Sequence, residues 1–136
     1  MRQAKKQKNP WNQLLKNVIG TQNFNAWHQA RGSNRPVKEI HITEDDIRNV
    51  FENQNGLSKW LKIPIDPMDV FKKHYPLAPS IDRIDNNIGY TANNICIATR
   101  FENYGFNKCS DKTRQECIVV LKEHITPNTI MEFLDA

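Results

Sequence analysis

Several features that mark membrane or secreted proteins are missing from the sequence. No run of about 20 apolar residues is present, so a transmembrane helix is not expected. The basic N-terminal stretch MRQAKKQKNP lacks an apolar segment behind its charges, which argues against a secretory signal peptide. Three cysteines without C-x-x-C spacing argue against a disulfide framework and a structural zinc site. We therefore expect an intracellular, cytoplasmic protein of one modest domain.

Acidic residues are absent from positions 1–38, which carry eight Lys or Arg, whereas positions 39–136 carry eleven Lys or Arg against fifteen acids. Clustered cations gain affinity for a phosphate backbone by releasing its counterions. We therefore expect a nucleic-acid partner and a division into a basic helical extension, residues 1–38, and a main domain, residues 39–136. A solvated tail is the alternative interpretation of the first basic run. The predicted phosphate contacts in that run are Arg2, Lys5, Lys6 and Lys8.

The first half of the chain predicts helices separated by one short strand. Asn9 and Pro10 form a cap and first turn, and the helix they open is expected to stop at Gly20. A second short helix is expected from Thr21 to Gly32. Residues 37–42 alternate like a strand, and Thr43 is expected to cap a helix that ends near Gly56.

The second half predicts a hairpin followed by more helices. Ser80–Ile84 and Ile95–Ala98 are short strand candidates joined by a long polar loop, and residues 100–108 are expected to form a helix. Ser110 is expected to cap a further helix, and Pro127 to open the last one. The predicted fold class is α+β, mostly helical, with a hairpin that leads into a helix.

The hairpin segment resembles the HNH, or ββα-metal, endonuclease family. The resemblance rests on S-I-D-R-I-D at 80–85, G-Y-T at 89–91, N-N-I at 93–95 and an Asn-bearing helix after them, and covers about residues 50–109, with its core at about 78–109. In that family, the positions of Asp82, Asn103 and Asn107 bind the metal, and Asn94 braces the hairpin loop.

The resemblance also implies a duplex DNA partner, with Arg100 and Lys108 flanking the helix and facing its phosphates. Gly89 and Tyr90 are expected to be structural, the glycine by adopting a positive φ and the tyrosine by packing under the loop.

The chemistry of the implied ligands favours a hard cation. Asn103 and Asn107 are four residues apart, so on one helix their Cβ atoms would lie about 6 Å from each other. A carboxylate and amide oxygens suit Mg²⁺, or another divalent ion such as Mn²⁺, and do not suit zinc.

Two departures from the family pattern matter. The segment NGLSKWLKIPID at 55–66 lacks the cysteine that relatives often carry there. Arg83 stands where the family usually has the His that activates water, and a guanidinium stays protonated, so it cannot be the general base. Arg83 could instead grip the scissile phosphate. The base is then His74, which we prefer, or Tyr75, His41 or a water activated by the metal.

These observations lead to the expectation of a metal-dependent DNA endonuclease of homing or phage type that hydrolyses phosphodiester bonds. One alternative is a DNA-binding protein built on a catalytically degenerate HNH hairpin, which Arg83 favours. Another is an RNA-binding or RNA-cleaving module, with which the basic arm is compatible.

Overall fold

The computed structural model describes residues 7–135, and it is an α+β fold in which helices predominate, as predicted. The helices are α1 (Pro10–Gln29), α2 (Glu44–Asn53), α3 (Arg100–Gly105), α4 (Asp111–His124) and α5 (Pro127–Asp135). The strands are β1 (Ile40–His41), β2 (Pro79–Arg83), β3 (Tyr90–Thr91) and β4 (Ile95–Thr99), and a 3₁₀ helix covers Pro67–Phe71. Among the described residues, no helix combines the length and the apolar character needed to cross a membrane.

Helix α1 begins where the sequence predicts. The side-chain oxygen of Asn9 accepts hydrogen bonds from the backbone N–H groups of Trp11 and Asn12 at 3.0 and 3.2 Å. Pro10 occupies the first turn, where a missing N–H costs nothing. The cap chemistry is local, which is why the sequence alone identifies this end of the helix.

The predicted end of α1 at Gly20 is wrong, and so is the separate second helix, because α1 runs unbroken to Gln29. Leu14, Val18 and Gln22 are buried on one face at four-residue spacing, and Gly20 lies between the last two of them. Burial of this face outweighs the helix propensity of one glycine, which is about 1 kcal/mol below that of alanine.

Thr43 caps α2, as predicted, through a capping box. Its hydroxyl accepts from the Asp46 N–H at 3.2 Å, and the Asp46 carboxylate accepts from the Thr43 N–H at 2.8 Å. The helix ends at Asn53, slightly before the predicted position. Asn55 and Gly56 then turn the chain with positive φ values of 56° and 71°.

The strand predicted at 37–42 shortens to Ile40–His41, which pairs in parallel with β3. The expectation of a positive φ at Gly89 is wrong, since Gly89 is not among the residues with positive φ. Its missing side chain serves a close approach instead, because a Cβ there would lie 2.6 Å from the Glu39 carbonyl oxygen. The same carbonyl accepts from the Tyr90 N–H at 2.8 Å.

Strands β2 and β4 form the predicted antiparallel hairpin, with Asp82 opposite Cys96 and Arg83 opposite Ile95. The edge of β4 that does not pair with β2 forms hydrogen bonds with the side chain of Gln54, the residue that follows α2. Gln54 accepts from the Ile97 N–H and donates to the Ile97 carbonyl, both at 2.9 Å. A side-chain amide therefore takes the place of a neighbouring strand, which leaves these backbone groups paired.

The core joins α1 and α2 to the hairpin. Leu14 of α1, Ile47 of α2, and Ile81 and Ile97 of the hairpin are all buried in one cluster. The chain divides after Asn103 into two compact units, and α1 packs in the first unit with the hairpin. The boundary expected at residue 38 therefore falls inside this first unit.

Helix α3 ends at Gly105, so the helix predicted over residues 100–108 is too long. The chain turns after Gly105, and Lys108 adopts a left-handed φ of 65°, which a continuing α-helix does not allow. The second unit contains α4, which Ser110 caps as predicted by accepting from the Thr113 N–H at 3.2 Å. Pro127 opens α5, also as predicted.

Candidate active site

Asp82, a predicted metal ligand, lies on one face of the hairpin, and a second predicted ligand, Asn103 of α3, contacts that face. Side chains alternate along β2, and the buried Pro79 and Ile81 define one face. Ser80 and Asp82 therefore lie on the other face, about 7 Å apart along the strand. From α3, the Asn103 side-chain amide donates to the Ser80 hydroxyl at 2.8 Å. This hydrogen bond brings an amide of the helix to the strand face that carries the carboxylate.

Asp82 is the second-last residue of β2, one residue before the polar loop. One of its carboxylate oxygens accepts from the Arg83 backbone N–H at 2.8 Å. Directly opposite on β4 is Cys96, and opposite Ser80 is Ala98, both buried. The cross-strand neighbours of Ser80 and Asp82 are thus small residues, which take up little volume on this face.

Asn94 holds the polar loop through both ends of its amide. Its oxygen accepts from the Asp85 N–H at 2.8 Å, and its nitrogen donates to the carbonyls of Asp85 at 3.0 Å and Gly89 at 2.9 Å. Asn94 is buried, and it precedes β4 directly. The side chain therefore has the bracing geometry that the sequence predicts, while a contribution to catalysis stays a prediction.

Arg83 also forms hydrogen bonds to this loop. Its Nη1 donates to the carbonyls of Asn86 at 2.9 Å and Ile88 at 3.1 Å, and its guanidinium lies 5.3 Å from the Tyr90 ring centroid. Consecutive strand residues point to opposite faces, so Arg83 points away from the face of Asp82. No described residue accepts a hydrogen bond from its Nε or Nη2, and those groups are the ones left for a phosphate contact.

A buried carboxylate that the sequence reasoning missed anchors α3. Glu102 is fully buried, and one of its oxygens accepts from the Thr99 N–H at 2.9 Å. The other oxygen accepts from the Ser58 hydroxyl at 2.7 Å and the Leu61 N–H at 2.6 Å. The Glu102 N–H in turn donates to the Thr99 hydroxyl at 3.1 Å, which completes a capping box. The T-x-x-E pattern at 99–102 is the sequence signal that could have found it.

Arg100 is occupied by the chain itself. Its guanidinium donates to the carbonyls of Lys72 at 2.6 Å and Val70 at 3.0 Å. These bonds attach the segment before β2, residues 70–76, to the start of α3, where the Phe101 N–H also donates to the Pro76 carbonyl at 2.8 Å. The predicted contact of Arg100 with DNA phosphate stays a prediction. In the structure its guanidinium already binds two backbone carbonyls of the chain.

The pKa of Lys72, in the same segment, is raised. A hydrogen bond from Lys72 to Asp69 at 2.8 Å, together with the charge of that carboxylate, raises the pKa of Lys72 above its ordinary value. The ammonium also lies 4.8 Å from the Tyr75 ring centroid. It therefore remains positively charged throughout the physiological pH range.

The three candidate bases are spread over two segments of the first unit. His74 is exposed, has a left-handed φ of 58°, and makes no side-chain hydrogen bond to any described residue. Tyr75 follows it under Lys72. His41 is on β1, where its Nε2 lies 3.0 Å from the Glu39 carboxylate. Each assignment stays a prediction, and no described contact joins any of the three to Asn103.

The predicted DNA contacts are distributed across different parts of the chain. Arg2, Lys5 and Lys6 fall outside the described residues. Lys8 is exposed and lies 5.1 Å from the Phe71 ring centroid, beside a polar cleft of about 450 Å³ at the start of α1. Lys108 belongs to the second unit.

Asn107 is not on a helix with Asn103, because α3 ends at Gly105. The premise of a shared helix face is therefore wrong for this pair, and the role of Asn107 as a metal ligand stays a prediction without that support. Within residues 7–135, no three His, Cys, Asp or Glu side chains group together in a way that would hold a metal ion. The predicted ligand set does not require such a group, because it combines one carboxylate with amide oxygens.

Comparison of the chain with protein-family models, with curated proteins and with solved structures gave no match.

Proposed function

We propose that this chain is a divalent-metal-dependent DNA endonuclease of the HNH type, which hydrolyses a phosphodiester bond at the β2–β4 hairpin. The observation that carries the proposal is the hydrogen bond from Asn103 to Ser80, which joins α3 to the strand face of Asp82. A strand carboxylate and a helix amide at one face of a hairpin are two of the three protein ligands that the resemblance implies, the third being Asn107.

The donor set fits Mg²⁺ or Mn²⁺. Asn103 donates to Ser80 through its nitrogen, and no described residue donates to its side-chain oxygen, which is therefore the atom left for a cation. Mg²⁺ is commonly held by one or two protein ligands, with waters and phosphate oxygens completing its shell. The ion would supply charge stabilisation for the scissile phosphate. The residues of the chain bind it, keep the hairpin in shape and orient the DNA.

The loop residues contribute rigidity. Asn94 fixes the loop backbone at both of its ends, and Arg83 ties the loop carbonyls to the end of β2. This order keeps Asp82 at a constant position, because a carboxylate at the end of a strand moves with the loop that follows it. Nε and Nη2 of Arg83 are left for a DNA phosphate on the side of β2 opposite Asp82, which we propose as the second role of this residue.

The proton acceptor that we propose is His74. Its left-handed backbone differs from that of its neighbours, and residues held in such conformations cluster at functional sites. Its imidazole is also exposed and makes no side-chain hydrogen bond to a described residue, so its ring nitrogens are accessible from solvent. Tyr75 and His41 are the alternatives that the same experiments test.

The first experiment measures nicking of a supercoiled plasmid across a Mg²⁺ titration, with a chelator as the blank. Asp82→Ala should abolish cleavage and leave DNA affinity nearly intact, because loss of an acid does not weaken attraction to phosphate. Asn103→Ala should lose most activity. Asp45→Ala, which removes an exposed carboxylate on α2, is the matched control and should cleave at the parent rate. If Asp82→Ala cleaved at the same rate as the parent chain, the proposal would be contradicted.

Ser80→Ala tests the hydrogen bond itself. Without the hydroxyl, Asn103 loses the contact that holds it against β2, so half-maximal cleavage should require a higher Mg²⁺ concentration while the maximal rate changes less. A structural effect without a role in metal binding would lower the rate equally at every Mg²⁺ concentration.

A DNA-binding protein on a degenerate hairpin is the second candidate, and the contacts of Arg83 favour it. A guanidinium bonded to two loop carbonyls stands where the family has its base. Binding of DNA by the parent chain without any cleavage in Mg²⁺ or Mn²⁺ would decide for this candidate.

A further inference from the structure

The C-terminal half of α1 carries a cluster of aromatic and cationic side chains that the hairpin chemistry does not use. Phe24 and Trp27 are 52% and 53% exposed, and the His28 ring contacts both at centroid distances of 4.3 and 4.9 Å. The Arg31 guanidinium lies 3.8 Å from the Trp27 ring centroid, and that of Arg35 lies 5.1 Å from the Phe24 centroid. Contiguous exposed apolar surface marks candidate ligand-binding sites, whereas a single exposed ring is ordinary.

The cluster is held in place by hydrogen bonds at its edges. Arg31 donates to the Trp27 carbonyl at 3.1 Å, which keeps its guanidinium above the indole of the same residue. The segment that carries Arg35 is tied to α1 twice. The Lys38 N–H donates to the buried Gln22 side chain at 2.7 Å, and Asn25 donates to the Pro36 carbonyl at 3.2 Å. Little ordering entropy therefore remains to be lost when a ligand binds.

The positive charge of the sequence that carries the cluster indicates what kind of ligand it would bind. Residues 1–38 contain no acid, and the first acid after them, Glu39, lies within 3.0 Å of His41. A ligand with negative charge and flat apolar faces matches such a surface. Unpaired nucleotides have both, because each base offers a π-face for stacking and each phosphate a charge for Arg. Duplex DNA keeps its base faces stacked inside, so it matches the cations but not the exposed rings.

We propose that Phe24, Trp27, Arg31 and Arg35 form a stacking surface for unpaired nucleotides of a DNA strand. The inference rests on the proposed function only in taking DNA as the ligand. The two arginines contact phosphates, and the exposed faces of the two rings stack on bases. Such a surface would hold a strand that has been opened or unstacked, in the same unit as the hairpin that we propose cuts DNA.

The test measures binding of a fluorescein-labelled dT 12-mer and of a duplex of equal charge to the full chain, by anisotropy, with a chelator present. Trp27→Ala should weaken binding of the single strand by roughly 5- to 100-fold, and binding of the duplex by less than about 2-fold. Trp27→Phe keeps a flat ring and should retain most of the affinity. Phe133→Ala removes an exposed aromatic residue of α5 and serves as the matched control, with no expected effect.

The arginines give a separate readout. Arg31→Gln and Arg35→Gln together should reduce the slope of log affinity against log salt by about 1.4, since each phosphate contact on a single strand contributes about 0.7. Equal weakening by Trp27→Ala and Phe133→Ala would overturn the proposal, and so would displacement of the 12-mer by poly-glutamate as efficiently as by unlabelled dT. These binding measurements need no cleavage. If the parent chain bound the single strand as expected but did not nick plasmid DNA, the nuclease proposal would be overturned and the stacking proposal would remain.

Discussion

Replacement of Glu102 by alanine should destabilise the first unit more than any surface substitution. The side chain is fully buried, and its carboxylate accepts three hydrogen bonds, from the Ser58 hydroxyl and from the N–H groups of Leu61 and Thr99. In Glu102→Ala those three donors lose their acceptor in the protein interior. An orphaned buried donor costs roughly 1–3 kcal/mol, and loss of a helix cap about 1 kcal/mol.

The free energy of unfolding should therefore fall by about 3–5 kcal/mol after partial relaxation, which is a large share of the roughly 5–15 kcal/mol that holds a domain folded. For a chain of this size the melting temperature should drop by about 10–20 °C. Glu102→Gln is expected to lie in between, because one end of an amide is a donor and would face either the Thr99 N–H or the other pair of donors.

Thermal and urea unfolding, followed by circular dichroism, measure the effect. Glu52→Ala makes the same change of charge on the exposed surface of α2 and should stay within about 0.5 kcal/mol of the parent. If Glu102→Ala unfolded within 2–3 °C of Glu52→Ala, a span set by the ~0.5 kcal/mol allowance for surface changes, the view of Glu102 as an anchor of α3 would be refuted.

Three further predictions concern single positions, the first two with a matched control variant. Asn94→Ala should cost about 1–3 kcal/mol and speed hydrogen exchange in the loop, because buried backbone groups lose their partners, whereas the exposed neighbour Asn93→Ala should change neither. Gly89→Ala should destabilise by about 1–3 kcal/mol, because its Cβ would overlap the carbonyl that β3 approaches, whereas Gly20→Ala, with open space around it, should stabilise α1 by about 0.5–1 kcal/mol. His74→Asn, which tolerates a left-handed φ, should lower turnover by ~10²-fold or more at unchanged melting temperature; full activity would exclude His74 as the base.

The features of the fold that could be predicted from sequence are those with local causes. Asn9, Thr43 and Ser110 cap helices because each side chain bonds a backbone N–H within three residues. The alternation of β2 and the turn-rich loop after it also predict the hairpin from short-range patterns. No knowledge of the rest of the chain is needed for these features.

The errors share a different origin, since each depends on residues far away in the sequence. Gly20 is a plausible stop until the buried face of α1 continues beyond it. Gly89 looks like a turn glycine until the Glu39 carbonyl of another strand approaches it. A sequence pattern reports what the local backbone prefers, and both positions are decided by packing partners that the pattern does not contain.

The candidate site follows the same division. Strand alternation places Ser80 and Asp82 on one face from the sequence alone, whereas the contact of Asn103 with Ser80 depends on where α3 begins and how it is oriented. The preceding residue, Glu102, sets both of these: its carboxylate binds the end of β4 at Thr99 and the 58–61 segment. Glu102, which stabilises the fold, and Asn103, which we propose binds the metal, are thus consecutive residues of one short helix. Glu102→Gln should consequently raise the Mg²⁺ concentration needed for cleavage even at temperatures where the chain remains folded, an effect that a purely global loss of stability would not produce.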